Sequence, residues 1–213
     1  MAAPLIYGPS FSTYTRTVRL VLEEKGVDYD LKPVNIMTGE AQAASYIRHH
    51  PFAKVPSFEH DGFSLYETAA IARYSDRAFP GPSLQPSDPK HAARMDQIIS
   101  IIDSYAYGAI VRKLVWQRLV VPMQGAQGDE SIVQESLDLV RLCLSEFEHL
   151  KGEHEFLAGP EITLADCFLA PIFAFLTMTP DAETLLQPTS GLRQWWERVS
   201  QRPAMQRTSP QFG

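Results

Sequence analysis

Val55-Pro56-Ser57-Phe58-Glu59-His60-Asp61-Gly62-Phe63-Ser64-Leu65-Tyr66-Glu67-Thr68 decides the reading of the fold. An Asp-Gly pair between two short runs of mixed apolar and polar residues is a strong hairpin signal, because both turn positions need positive φ. Two strands follow, Val55–Glu59 and Phe63–Tyr66, within a hairpin segment reaching from Pro51 to Glu67. Val55-Pro56 stands at the strand start, where proline's missing donor is tolerated. Its bond is either an ordinary trans link or a cis one. A cis bond would turn the Val55 amide and carbonyl outward, within reach of an extended peptide. After Tyr66 the pattern changes to helix from Thr68 to about Phe79, with Ala69, Ile71 and Ala72 as inward candidates.

Upstream, Leu5-Ile6-Tyr7 reads as a buried strand ended by Gly8-Pro9. A helix follows, with Val18, Val21 and Leu22 on one face, Lys25 in its last turn and Gly26 as a left-handed stop. Tyr29 and Leu31 alternate with polar neighbours as a second strand. The order is strand–helix–strand, then strand–strand–helix. Downstream, Pro80, Gly81, Pro82, Pro86 and Pro89 crowd into a semi-rigid linker. Beyond it the chain reads as helix only: His91 to about Leu119, with Ile98, Ile101, Ile102 and Tyr105 in register and Gly108 as a possible kink. Ile132–Leu150 comes next, with Leu137, Val140, Leu144 and Phe147 on one stripe. Then follow Thr163 to about Thr177 and Leu192–Gln201, the last stopped by Pro203. The domains are therefore 1–80, a linker at 81–89, and 90–213.

Thr163-Leu164-Ala165-Asp166 is a capping box with Asp in the Glu place, a structural feature. Glu67-Thr68 sits at a strand-to-helix junction, where free amides and the positive end of the helix dipole favour an anion. The Glu67 carboxylate there suits an amino group, so the pair could hold both charges of an amino-acid α-centre. It could also be just a cap. Ser10, Ser12, Thr13, Tyr14, Thr15 and Thr17 crowd the start of the first helix. One of these hydroxyls is either an N-cap or a donor to an anion such as a thiolate. Cys143 and Cys167 both read as buried small hydrophobes. His149 and His154 lie among glutamates and His49-His50 are adjacent, so no metal is expected.

Of the 213 residues, 45% are hydrophobic and 21% charged, which excludes disorder as the main state. Nineteen basic against twenty-five acidic residues give −6, which argues against nucleic acid or an anionic membrane as partner. No apolar run approaches the ~20 residues of a membrane span. Two cysteines make no disulfide framework, and the start lacks a signal peptide, so a cytoplasmic protein is expected.

Four stretches combine: Gly8-Pro9-Ser10-Phe11-Ser12-Thr13-Tyr14-Thr15-Arg16, His50-Pro51-Phe52-Ala53-Lys54-Val55-Pro56, Tyr66-Glu67-Thr68-Ala69-Ala70-Ile71-Ala72-Arg73-Tyr74 and Ile162-Thr163-Leu164-Ala165-Asp166. In this order and spacing the chain resembles the cytosolic glutathione transferases over essentially its whole length. Lys113-Leu114-Val115-Trp116 looks most like the serine-type phi class.

The resemblance implies an α/β thioredoxin-like N-terminal domain that binds glutathione and an all-α C-terminal domain that holds a small apolar electrophile, in a homodimer. It implies Ser12 as the catalytic hydroxyl, with Tyr7, where other classes carry a tyrosine, as the rival. Ser10 and Thr13 also stay open. It implies glutathione contacts from Glu67 and Thr68 at the γ-glutamyl end, from Val55 and Pro56 at the cysteinyl unit, and from Lys54. Gln42, in Gly39-Glu40-Ala41-Gln42, stands where the family often has a His-Lys clamp for the glycyl carboxylate. Lys54 or Arg48 would compensate for the missing cations. His50 stands where asparagine is usual. Phe11, Tyr105, Tyr107 and Trp116 would line the electrophile pocket. Glutathione is then the co-substrate, with no metal. A glutathione-dependent peroxidase or isomerase, or a non-catalytic ligand-binding protein, is the alternative on the same scaffold.

Overall fold

The computed structural model describes residues 3–210 of the chain. These form two compact units, one running to Gln85 and resumed from Gln201, the other spanning Pro86–Ser200. The first unit begins with β1 (Leu5–Tyr7), α1 (Thr13–Glu24) and β2 (Asp30–Lys32). A 3-10 turn at Glu40–Gln42 and the short α2 (Ala44–Ile47) follow, then β3 (Ser57–His60), β4 (Phe63–Tyr66) and α3 (Thr68–Ala78). The strands lie in the order β2-β1-β3-β4, with β1 parallel to β2 and the other neighbours antiparallel. This is the thioredoxin-like arrangement.

The hairpin forms as its turn residues dictate. His60 pairs with Phe63, and Asp61 and Gly62 carry φ of 47° and 78° between them. That two-residue geometry matches the right-handed twist of the strands. Ile6, Val18, Leu22, Phe58, Ile71 and Phe79 close the core between the sheet and α1 and α3. Burying each such side chain contributes about 1.5–3 kcal/mol. Ile71 and Ala72 point inward, whereas Ala69 is only half-buried. On the opposite sheet face Tyr7, Val34, Ala41 and Tyr46 form a second, smaller cluster. The 3-10 turn and α2, which supply Ala41 and Tyr46, escaped the sequence pattern. The backbone at Ala43, which starts α2, has no side-chain cap to announce it.

α1 ends where Gly26 takes φ of 69°. Just before it, the buried Lys25 ammonium donates to Asp76 at 3.1 Å and to the Pro82 carbonyl at 3.0 Å. Asp76 also accepts from the Leu84 amide at 2.8 Å and the Gln85 side chain at 2.9 Å. A buried ion pair is tolerated only when such extra bonds satisfy it. Here it fastens the proline-rich stretch to the ends of α1 and α3. Gly81, at φ 114°, runs so close to α1 that a Cβ would lie 2.6 Å from the Lys25 carbonyl oxygen.

The second unit is helical. α4 (Pro89–Ile101) is capped by Asp88, which accepts from the Lys90 and His91 amides. From Ile102 to Val120 the turns widen to π-type spacing, and α5 (Val121–Met123) ends the run. Ile98, Ile102, Ala106, Ile110 and Leu114 are all buried, a spacing of four. Because the turns are wider than 3.6 residues, the inward row drifts away from the expected one. Ile101 is half-buried and Tyr105 faces solvent, 56% exposed, rather than joining the core. α6 (Glu130–Lys151) buries the expected stripe of Leu137, Val140, Leu144 and Phe147. α7 (Leu164–Leu176), α8 (Ala182–Leu186) and α9 (Ser190–Ser200) complete the unit. Arg118 ties this layer together with paired bonds to Asp181 and Glu130, and both carboxylates hold its guanidinium protonated.

α7 begins at the capping box. The Asp166 carboxylate accepts from the Thr163 amide at 2.8 Å and hydroxyl at 3.0 Å, from the Leu157 amide at 2.9 Å, and from Trp195 Nε1 at 2.8 Å. Asp166 is fully buried; burial raises its pKa and the four donors oppose that rise. Cys143 and Cys167 are buried and form no disulfide, and burial pushes the Cys143 thiol up to about 11. Among the described residues no helix is long and apolar enough to cross a membrane.

Pro203 does not merely stop α9. It opens α10 (Pro203–Arg207), its fixed φ suiting the first turn of a helix. α10 returns to the first unit against α1. Buried Arg16 donates to the Met205 carbonyl at 2.9 Å, and Arg19 to the Thr208 carbonyl at 3.2 Å. Glu24 pairs with Arg202 and Glu23 with Arg207.

Candidate functional site

Strand register gathers the sequence-predicted glutathione residues at one end of the sheet. Tyr7, the last residue of β1, lies opposite Ser57, the first of β3, and Ser57 lies opposite Tyr66, the last of β4. The loop Gly8–Ser12 therefore leaves the sheet beside Val55-Pro56 and Glu67-Thr68. β2 ends at the same edge, with Lys32 opposite Tyr7, and leads on to Gln42.

Ser12 is the N-cap of α1, in extended backbone, and its Oγ accepts from the Thr15 amide at 3.4 Å. A hydroxyl has one proton and two lone pairs. Because the cap uses a lone pair, the Ser12 proton is left to donate elsewhere, at the positive end of a 12-residue helix. Tyr7 is differently placed. It is buried, its hydroxyl donates to Glu59 at 3.1 Å, and its ring stacks on His49 at 4.4 Å. Burial first, then the Glu59 carboxylate, raises its pKa. Phe11 and Ser10 are half-buried in the same loop and Thr13 is buried.

The Val55-Pro56 bond is cis. Val55 is half-buried and Pro56 buried, while Lys54 is exposed and its carbonyl accepts from the Tyr46 hydroxyl at 2.7 Å. Tyr46 thereby holds the loop that presents Val55. Glu67 precedes α3 at φ 71° and ψ 114°. Such a backbone costs a non-glycine residue about 1–3 kcal/mol and persists at sites where geometry is functional. Its side chain is exposed, and Thr68 behind it is buried at the helix start. Gln42 is exposed at the end of its 3-10 turn. Arg48 is exposed as well and donates to His49 at 3.3 Å. In the helical unit Tyr105 and Trp116 are exposed and Tyr107 half-buried, with its pKa raised by burial. Among the described residues no group of three side chains could hold a metal ion.

His50 was legible only as a departure from a familiar pattern. It is 2% exposed, and its Nδ1 has no hydrogen-bond partner. Its ring lies 5.0 Å from that of Tyr66, the residue before Glu67. A histidine next to His49 and before Pro51 gives no local signal of burial.

Two family models match, the glutathione S-transferase N-terminal domain over residues 6–83 and the glutathione S-transferase C-terminal domain over residues 95–203. Glutathione S-transferase F6 of Arabidopsis thaliana is 32% identical over 97% of this chain and 99% of its own length. The crystal structure of glutathione transferase F7 from Populus trichocarpa superposes with a TM-score of 0.87 at 28% identity, covering 97% of each chain. Glutathione S-transferase I from maize, solved in complex with an atrazine glutathione conjugate, gives 0.85 at 27% identity over 97% of this chain and 96% of that one. With both halves matched in order and near-complete coverage of such relatives, the chain belongs to the glutathione S-transferase family and is an enzyme of its phi type.

Proposed function

We propose that the sheet-containing unit binds glutathione at the edge described above, and that Ser12 activates its thiol for attack on small apolar electrophiles held by the helical unit. The carrying observation is the hydrogen-bond polarity at Ser12: the oxygen accepts from Thr15, so the proton is available to a thiolate. Tyr7 spends its proton on Glu59, which favours Ser12 over its rival.

A free thiol with pKa about 8.5 is only ~3% thiolate at pH 7. Lowering that pKa by two units takes about 2.7 kcal/mol. One charge-assisted hydrogen bond and a helix N-terminus together supply roughly that. No proton relay is required. Glu67 and the Thr68 helix start receive the γ-glutamyl ammonium and carboxylate, Val55 and Pro56 flank the cysteinyl unit, and Lys54 and Gln42 serve the glycyl end. Tyr105, Tyr107 and Trp116 are the helical unit's candidates for holding the electrophile, whose capture adds proximity. The maize relative's conjugate complex supports this direction of chemistry. Two buried cysteines outside any disulfide suit a reducing cytoplasm.

The test is a pH titration of the ultraviolet thiolate band of bound glutathione. The expected midpoint lies about two units below that of the free tripeptide. A band that titrates like free glutathione would leave a ligand-binding protein without the chemistry.

The enzyme acts as a homodimer in this reading. Phe52, 67% exposed, meets the half-exposed Tyr66 edge-on at 6.2 Å, an aromatic pair suited to cover by a second copy. Sedimentation should give twice the chain mass, and Phe52→Ser should weaken the dimer about 10- to 100-fold, as loss of an aromatic anchor does. Monomeric wild-type protein at micromolar concentration would refute the dimer.

A further inference from the structure

His50 is held by its backbone on both sides: its amide donates to the Tyr46 carbonyl at 3.2 Å, and its carbonyl accepts from Ala53 at 3.0 Å. The ring is packed between Tyr66, at 5.0 Å, and Phe52, at 6.3 Å. Two full charges act on it, the Glu67 carboxylate and the Lys54 ammonium. The other titratable side chains beside it are Tyr66, whose ring packs on it, and Tyr46, whose carbonyl takes its amide. His50 thus packs on Tyr66, which precedes Glu67-Thr68, and on Phe52 and Ala53, which precede Lys54–Pro56, the two halves of the proposed tripeptide site.

Its Nδ1 is buried with no hydrogen-bond partner. A neutral imidazole can keep a lone pair at that position, but an imidazolium carries an N–H on both nitrogens. Protonation would create a buried donor with nothing to accept it. The ring must then turn, and Glu67 is the carboxylate that draws it. We propose that His50 is a proton-operated positioning residue: neutral, it leaves Glu67 to the γ-glutamyl ammonium; protonated, it takes the Glu67 carboxylate and weakens glutathione binding. The inference rests on the assignment of Glu67 made under the proposed function.

The sign is consistent from both ends. The imidazolium competes for Glu67 and repels the incoming ammonium, so protonation opposes binding. By reciprocity, the bound tripeptide opposes protonation. Burial already holds the His50 pKa below its ordinary value, against the pull of Glu67, so the free enzyme is in its binding state near neutral pH and leaves it on acidification.

The test uses S-methylglutathione, whose thiol is capped, so no thiol titration enters. Its Kd is measured by calorimetry at about pH 7.5, 6.5 and 5.5, spanning the histidine range, on the wild type and on His50→Asn. The wild type should weaken by about three- to tenfold across that range, as one coupled proton allows. His50→Asn should change by less than about twofold, having no proton to couple. Equal pH slopes in the two proteins would overturn the proposal. Absence of binding by the wild type at neutral pH would instead overturn the glutathione reading itself, and the inference with it. On wild-type protein alone, the His50 imidazole is followed by NMR. Saturation with S-methylglutathione should move its titration midpoint to lower pH, and an unmoved midpoint would equally overturn the proposal.

Discussion

Ser12→Ala should lower kcat/KM with an aryl halide by about 10- to 100-fold near neutral pH, the range of one charge-assisted hydrogen bond. The bound thiol pKa should rise by about one to two units in the same variant, since each unit is worth about 1.36 kcal/mol. Binding of S-methylglutathione should stay within about twofold, because the lost bond matters only to the charged sulfur. Ser12 is also a helix cap, so the alanine variant should lose about 1 kcal/mol of stability. Ser12→Thr separates the two roles: it keeps both cap and hydroxyl, and should recover most of the turnover. Unchanged turnover in Ser12→Ala would remove Ser12 from the chemistry. The same test in Tyr7→Phe should leave the thiol pKa untouched, because that hydroxyl is spent on Glu59.

Asp166→Ala should be the most destabilising single change in the helical unit. It strands the Leu157 and Thr163 amides and the Trp195 indole, all in a buried place. Losing a buried acceptor shared by several donors costs about 3–5 kcal/mol. For a chain of this size that corresponds to a fall in Tm of roughly 6–20 °C. Asp166→Asn keeps the shape but turns an NH2 group toward donors, so it should fall between the wild type and the alanine variant. Thermal unfolding followed by circular dichroism measures all three. A loss under about 1 kcal/mol would mean that neighbouring groups re-satisfy the stranded donors.

What could be read from the chain follows the range of its signals. The hairpin was legible because Asp61-Gly62 specifies its turn locally. α1, α3 and α6 were legible because their apolar residues recur at helical spacing. The capping box told where α7 starts, but only part of what Asp166 does. Its bonds to Leu157 and Trp195 join residues 9 and 29 positions away, beyond the reach of any local pattern. α2, α8 and α10 have at most five residues and little periodicity to detect. The wide turns after Ile101 shift the inward row, so Tyr105, in register with Ile98 and Ile102 by sequence, lies exposed instead of beside them. At the site, Ser12, Val55-Pro56 and Glu67-Thr68 were legible as motifs, and it took the strand register to bring them to one edge. The buried state of His50 has no sequence signature at all.

The unit that carries this edge is interrupted in the chain by all of Pro86–Ser200. During synthesis, its first 85 residues emerge long before the segment that completes them. At about 5–20 residues per second, the intervening stretch takes on the order of ten seconds to be made. Until Pro203–Thr208 arrives, Arg16 and Arg19 lack the carbonyl groups that hold them in the finished structure. The helix that presents Ser12 is therefore finished last, although it is among the first segments made. A ribosome stalled before Gln201 would hold a chain whose α1 is still without its partner.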